Sequence, residues 1–201
     1  LQGDWSSDVC SSDLLFCFVD DFYKGFEPWY KKSLLTCGTK KRNREGKMSL
    51  SEIITNLIAF HQSGMACFKY FYLELIRNYR NLFNYLVHYD RFVALIKLAF
   101  PALVCLLKTL EGTVTEYLFI DATAMAVCHN LREKRHKVFK ELAKKGKTST
   151  GWFFGFKLHF IFNTYGEIVR MQITGGNIDD RSPVMTLVKD ISAKLIGDKG
   201  Y

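Results

Sequence analysis

Trp152, Phe154, Phe156, Leu158, Phe160 and Phe162 occupy every second position, with Gly155, Lys157, His159 and Asn163 between them. Side chains alternate between two faces with period two only in an extended strand, so this stretch specifies a long β-strand. Tyr165-Gly166 supplies a turn, and Ile168 to Thr174 returns as a second strand with Val169, Met171 and Ile173 on one face. The second half of the chain is therefore organised around a hairpin.

Two shorter signals extend the sheet. Tyr117-Leu118-Phe119-Ile120 is a continuous apolar run that suits a strand buried on both faces, and it delivers Asp121 at its end, followed by small Ala122, Thr123 and Ala124. A carboxylate so placed is either an ordinary turn residue or a group aimed at a metal by a rigid element. After the hairpin comes the polar loop Thr174-Gly175-Gly176-Asn177-Ile178-Asp179-Asp180, then Ser182 as a cap and Pro183 in a first helical turn. Val184, Leu187, Val188, Ile191 and Leu195 form the buried stripe of that helix, and Leu195-Ile196-Gly197 re-enters the sheet as a brief parallel strand that presents Asp198. Between the first strand and the hairpin, Arg132 to Lys147 is dense in Lys and Arg and reads as a mobile basic loop or a frayed helix. Its Gly146-Lys147-Thr148 is no nucleotide loop, because the leading glycine of Gly-x4-Gly-Lys-[Ser/Thr] is absent and no strand precedes it.

The front half, from Leu15 to about Leu110, has helical periodicity broken by a basic linker with Lys40, Lys41, Arg42, Arg44 and Lys47. Ser49-Leu50-Ser51-Glu52 is a capping box that starts a helix carrying Ile53, Ile54, Leu57, Ile58 and His61 on one stripe. Gln62-Ser63-Gly64 stops it, and Phe68, Phe71, Tyr72, Leu75 and Ile76 begin another. With Lys69, Arg77 and Arg80 beside it, this helix pair is either a small structural bundle or a surface that docks on DNA phosphates. The aromatic residues from Tyr70 to Phe92 follow helical spacing, which suits a core better than base stacking, and His61 and His88 lack a partner at His-x-x-x-His spacing.

Lys and Arg exceed Asp and Glu by eight, which favours an anionic partner, nucleic acid or an acidic membrane surface. The six scattered cysteines contain no Cys-x-x-Cys pair and read as reduced intracellular thiols. The longest apolar run, Phe92 to Leu107, contains Lys97 and Pro101 and falls short of the roughly twenty residues that span a bilayer, so no membrane span is expected. Residues 1–14 are set apart. Asp4 to Leu14 resembles the conceptual translation of a sequencing-library adapter, and excluding it removes three acids and no base, which strengthens the basic character.

Four phrases together resemble insertion-sequence DDE transposases, and they stand in that family's order. They are Phe119-Ile120-Asp121-Ala122-Thr123, Gly155-Phe156-Lys157-Leu158-His159, the loop Thr174 to Asp180, and Gly197-Asp198-Lys199-Gly200-Tyr201. The helical front half also looks like the family's end-binding region, so the resemblance covers Leu15 to Tyr201. It implies an α/β chain: an all-α DNA-binding region at 15–110, then an incomplete ribonuclease H-like mixed-sheet catalytic domain at 111–201.

In such a domain three carboxylates hold two divalent ions, Mg2+ with Mn2+ as a substitute. Two hard cations about 3.5 to 4 Å apart activate a water or a 3′-hydroxyl and stabilise the leaving oxygen. Asp121 matches the first acid and Asp198 the second; the resemblance puts the third, a glutamate, on a helix beyond Tyr201. Asn177 and Asp180 match the family's Gly-Asn-x-x-Asp phrase and take a supporting role in the loop, with metal ligation by Asp179 or Asp180 as the alternative. DNA contacts are expected from Lys40, Lys41, Arg42, Arg44, Arg132, Lys134, Arg135, Lys144, Lys145 and Lys147. Lys157, His159 and Lys199 either meet phosphate near the acids or are ordinary surface residues. The implied partners are double-stranded DNA, both the element's terminal inverted repeats and a target, and a second copy of the chain in a homodimer assembled on DNA. The implied location is the bacterial cytoplasm, at the nucleoid. The implied activity is metal-dependent strand cleavage and strand transfer; the alternative is an inactive, truncated remnant that only binds DNA.

Overall fold

The structure, a computed structural model, describes residues 8–36, 46–149 and 151–198, with the side chains of the first helix described from 13 to 34. The linker with Lys40, Lys41, Arg42 and Arg44 lies outside the described residues, as does Lys199. Contacts divide the chain into two units, Leu1–Lys108 and Thr109–Tyr201.

Among the described residues the first unit holds four α-helices, α1 (Asp8–Thr36), α2 (Leu50–Gln62), α3 (Phe68–Asn78) and α4 (Tyr89–Thr109), and a 3-10 turn at Arg80–Leu82. α1 begins inside the adapter-like segment. α2 starts where the capping box requires: the Ser49 hydroxyl accepts the Glu52 amide at 3.1 Å, and the Glu52 carboxylate accepts the Ser49 amide at 2.6 Å. It stops at Gly64, whose φ of 66° is a conformation that side-chain-bearing residues rarely adopt. Asp20 on α1 accepts the buried Ser51 hydroxyl of α2 at 2.7 Å and pairs with Lys24 at 2.8 Å, which together hold its carboxyl below the usual range.

The aromatic residues are core, as their spacing suggests. Phe71, Tyr72 and Phe92 are buried, with Phe68 packed against them. The Tyr72 hydroxyl donates to the Val87 carbonyl, and burial pushes its pKa up to about 12. α4 is longer than the apolar run suggested. It continues through Lys97 and Pro101 for 21 residues and is long and apolar enough to cross a membrane, the one such helix among the described residues. Its Phe92, Ala99, Ala102 and Leu106 nonetheless face the helical core, while Leu98, Phe100 and Val104 stand exposed.

The second unit is a five-stranded mixed sheet of β1 (Tyr117–Cys128), β2 (Lys144–Thr148), β3 (Gly151–Asn163), β4 (Ile168–Gly175) and β5 (Lys194–Gly197). The order is β2-β3-β1-β5, and β4 also pairs with β3; only β1 and β5 run parallel. Asn163 closes the β3–β4 hairpin. Its Oδ1 accepts the amides of Tyr165 and Glu167 at 3.0 and 2.9 Å, while its Nδ2 donates to the Thr113 carbonyl at 3.1 Å and Glu167 Oε2 at 2.6 Å. Gly166 takes the positive φ of 78° that this turn needs.

Three expectations are corrected here. β1 does not end at Asp121: it runs on to Cys128, because β3 offers antiparallel partners as far as Phe154. The basic stretch is neither a loop throughout nor a frayed helix. Asn130–Arg135 forms a 3-10 helix, and Lys144–Thr148 is strand β2, paired with Gly151–Gly155. The helix after Pro183 is a single turn, α5 (Val184–Leu187), with Pro183 and not Ser182 at the cap position; the Ser182 amide donates to the Asp179 carbonyl at 3.1 Å. Its apolar stripe still packs as expected, with Leu187 buried and Val184, Val188, Ile191 and Leu195 against Leu118, Ile120, Ile161 and Val169.

The structure decides which face of β3 is enclosed, a matter that alternation leaves open. Its more buried positions are Gly155, Lys157, His159, Ile161 and Asn163, whereas Phe156, Leu158, Phe160 and Phe162 are only partly covered. The α5 segment and the loop before it lie on the polar face, so that face is the enclosed one.

Two substitutions probe these units separately. Ser49→Ala removes one half of the capping box and should lower stability by about 1 kcal/mol. A Cβ at Gly155 would stand 1.9 Å from the Met125 carbonyl oxygen, so Gly155→Ala must push β1 from β3 and should cost about 2 kcal/mol or more. Denaturant midpoints measure both, and a Gly155→Ala variant as stable as the parent would contradict this packing.

Candidate active site

The two acids picked out from the sequence are brought together by strand register. β1 and β5 pair in parallel from Tyr117↔Lys194 to Ile120↔Gly197. Asp121 and Asp198 are the next residues on each strand, and neighbouring strands lie about 4.8 Å apart. Their side chains leave the sheet on the face of Phe119 and Ile196, opposite the one covered by α5, because Leu118 and Ile120 are buried there. Both acids are exposed. Asp121 Oδ1 accepts the amide of Ala122 at 2.7 Å, which fixes its rotamer.

The register depends on two anchors. The Lys194 amide donates to the Glu116 carbonyl at 2.8 Å just where pairing begins, and the Lys194 ammonium meets Glu116 Oε1 at 3.0 Å. Beneath the strands, Leu195 packs into the cluster of Leu118, Ile120 and Leu187.

Two adjacent, solvent-facing carboxylates supply hard oxygen donors of the kind that a divalent cation prefers. The donor set therefore fits part of a metal cradle. Among the described residues no group of three or more His, Cys, Asp or Glu side chains converges on one point.

The loop after β4 is tied to the opposite face of the sheet. Lys157 on β3 is buried; its Nζ donates to Asp180 Oδ1 at 2.9 Å and to the Ile178 carbonyl at 3.0 Å. His159, two residues on, is fully buried, and its Nε2 shares a hydrogen bond with Thr174 Oγ1 at 2.8 Å. Register sets Lys157 and His159 across from Ala124 and Ala122, so they stand on the other side of the sheet from Asp121. Neither is at the protein surface, and their contacts are those of a structural latch that holds the Asn177–Asp180 loop. Asp179 is engaged elsewhere: its Oδ1 accepts Arg181 N at 2.9 Å and Nε at 3.3 Å, which holds its carboxyl below the usual range.

The other cations picked out from the sequence are at the surface where the structure describes them. Arg132, Lys134 and Arg135 on the 3-10 helix, and Lys144, Lys145 and Lys147 on β2, are all exposed. Sequence reasoning passed over β2 because Lys144 to Thr148 has no apolar alternation. Its usable signal was position, a short polar stretch with Gly151 just before the longest strand.

Burial holds the pKa of His159 below its ordinary value, and Nδ1 has no hydrogen-bond partner, so a proton there would be buried without an acceptor. The unfolded chain then binds a proton that the folded chain refuses. This contribution to stability is complete above about pH 6.5 and is lost as pH falls below it. His159→Gln should flatten the fall in urea midpoint between about pH 7.5 and 5.5; a parental pH dependence in the variant would refute the assignment.

A family model described as transposase DDE domain matches residues 111–201. Neither a curated protein nor a solved structure matches the chain. The mixed sheet, following a helical region in the chain, is consistent with the ribonuclease H-like architecture of such domains, and DNA is the partner that a transposase implies. It is to the transposase DDE domain family that residues 111–201, with Asp121 and Asp198 side by side at the edge of their parallel pairing, are similar.

Proposed function

We propose that the chain serves a DNA transposase that binds the terminal inverted repeats of its element, cleaves there in a metal-dependent reaction and joins the freed end to target DNA. The observation that carries this reading is the parallel register that makes Asp121 and Asp198 neighbours within a segment matched by the transposase DDE domain. Asp121 and Asp198 would hold divalent ions, Mg2+ or Mn2+, whose Lewis acidity activates a water or a 3′-hydroxyl. On this reading a third carboxylate, a glutamate, completes the set.

The chain's own residues do the rest. The Lys157–Asp180 latch shapes the loop that carries Asn177, and that loop leads into the segment delivering β5 and Asp198. Arg132, Lys134, Arg135, Lys144, Lys145 and Lys147 neutralise phosphates, with Lys40, Lys41, Arg42, Arg44 and Lys199 as further contacts. A homodimer assembled on DNA in the bacterial cytoplasm is the working form on this reading.

Asp121→Ala in the intact transposase should abolish strand cleavage and leave binding of terminal-repeat DNA within about twofold, because the acid contacts ions and not phosphate directly. Retained metal-dependent cleavage would overturn the role of Asp121. For the 201-residue chain itself, DNA binding should weaken steeply with salt. Salt-sensitive binding without cleavage identifies it as a DNA-binding protein that lacks the chemistry.

A further inference from the structure

Trp152 is used neither by the core of the sheet nor by the acid pair. Its indole is 58% exposed, although the residue sits inside the β2–β3 pairing, directly opposite Lys147. The ammonium groups of Lys145 and Lys147 lie 5.4 and 5.8 Å from the ring centroid. A lone exposed aromatic residue needs no explanation. An indole flanked by two cations has a definite complement: a flat π-face joined to a negative charge.

The platform is held firmly. Asn130 Nδ2 donates to the Trp152 carbonyl at 2.6 Å. A Cβ at Gly146 would stand 2.1 Å from the Gly176 carbonyl oxygen, so β2 and the loop after β4 touch backbone to backbone there.

We infer that Trp152, Lys145 and Lys147 form a subsite for an unpaired nucleotide of DNA, the base stacked on the indole and its phosphate drawn to the two ammonium groups. An indole can stack only on a base whose face is open, which a base inside a duplex does not offer. The occupant is therefore a nucleotide in a single-stranded or frayed stretch, and recognition by stacking is tolerant of sequence. The subsite shares a sheet face with Asp121. Positions 152 and 160 of β3 point the same way, and Phe160 is the register partner of Asp121. Eight strand residues at about 3.3 Å place the indole roughly 26 Å along β3 from that pair. The nucleotide held there lies several positions from the one at the acids.

This inference rests on the DNA-binding reading above, and one experiment separates the two. The 201-residue chain is titrated with two fluorescent DNAs, a blunt duplex and the same duplex carrying a single-stranded tail of about eight nucleotides. The parent should prefer the tailed DNA. Trp152→Ala should weaken tailed binding by about tenfold, the scale of one base–aromatic stack, and leave blunt binding unchanged. Trp152→Leu, which keeps apolar bulk without the ring, should match Trp152→Ala, and Trp152→Phe should restore most of the affinity. Circular dichroism and thermal melts of the variants establish that each is folded. Equal losses on both DNAs, no loss on either, or full affinity in Trp152→Leu would overturn the stacking subsite while leaving DNA binding intact. Failure of the parent to bind either DNA would overturn both.

Discussion

A parallel pairing of four residues on each strand, Tyr117–Ile120 against Lys194–Gly197, is the constraint on which the candidate site depends. Asp121 and Asp198 are far apart in sequence and meet only because this register ends one residue short of each. A slip of one residue would turn Asp198 to the opposite face of the sheet. So short a strand has few hydrogen bonds of its own. Its register is set by apolar packing of Leu195 with Leu118, Ile120 and Leu187, and by the Lys194–Glu116 contact at its start.

β3 is the element that gives the unit two unlike faces. On one, Lys157, His159 and Asn163 are buried and tie down the loops around them. The Lys157 ammonium is compensated by Asp180 and a backbone carbonyl; without them it would be a buried charge with no partner, the costliest situation a side chain can meet. The other face carries Asp121 and, further along, Trp152 with its lysines. Structural polarity is enclosed, and the polarity available for chemistry is displayed.

Hydrophobic alternation establishes the strand and leaves open which of its faces is buried. Period two depends only on backbone geometry and establishes that Trp152 to Phe162 is extended. Which face is enclosed depends on what packs there. The α5 segment and its preceding loop chose the face of Ile161 and Lys157, because Leu187, Val188 and Ile191 find Leu118, Ile120 and Val169 on that side. The phenylalanine face is left half covered among the described residues.

Short-range physics was legible in the residues themselves: the capping box at Ser49 and Glu52, the helix stop at Gly64, the alternation of β3, the turn at Tyr165-Gly166, and the acids that follow two apolar runs. Each needs only residues within a few positions of one another. Strand β2 was not legible, because Lys144–Thr148 becomes a strand only by borrowing hydrogen bonds from Gly151–Gly155. The full length of β1 and the burial of Lys157 and His159 were hidden for the same reason. The sequence determined the capped helix, the alternating strand and its turn, and the two acids that follow apolar runs; tertiary structure alone decided strand β2, the partners and register of the strands and the face those acids share, since these depend on contacts between residues that the chain keeps far apart.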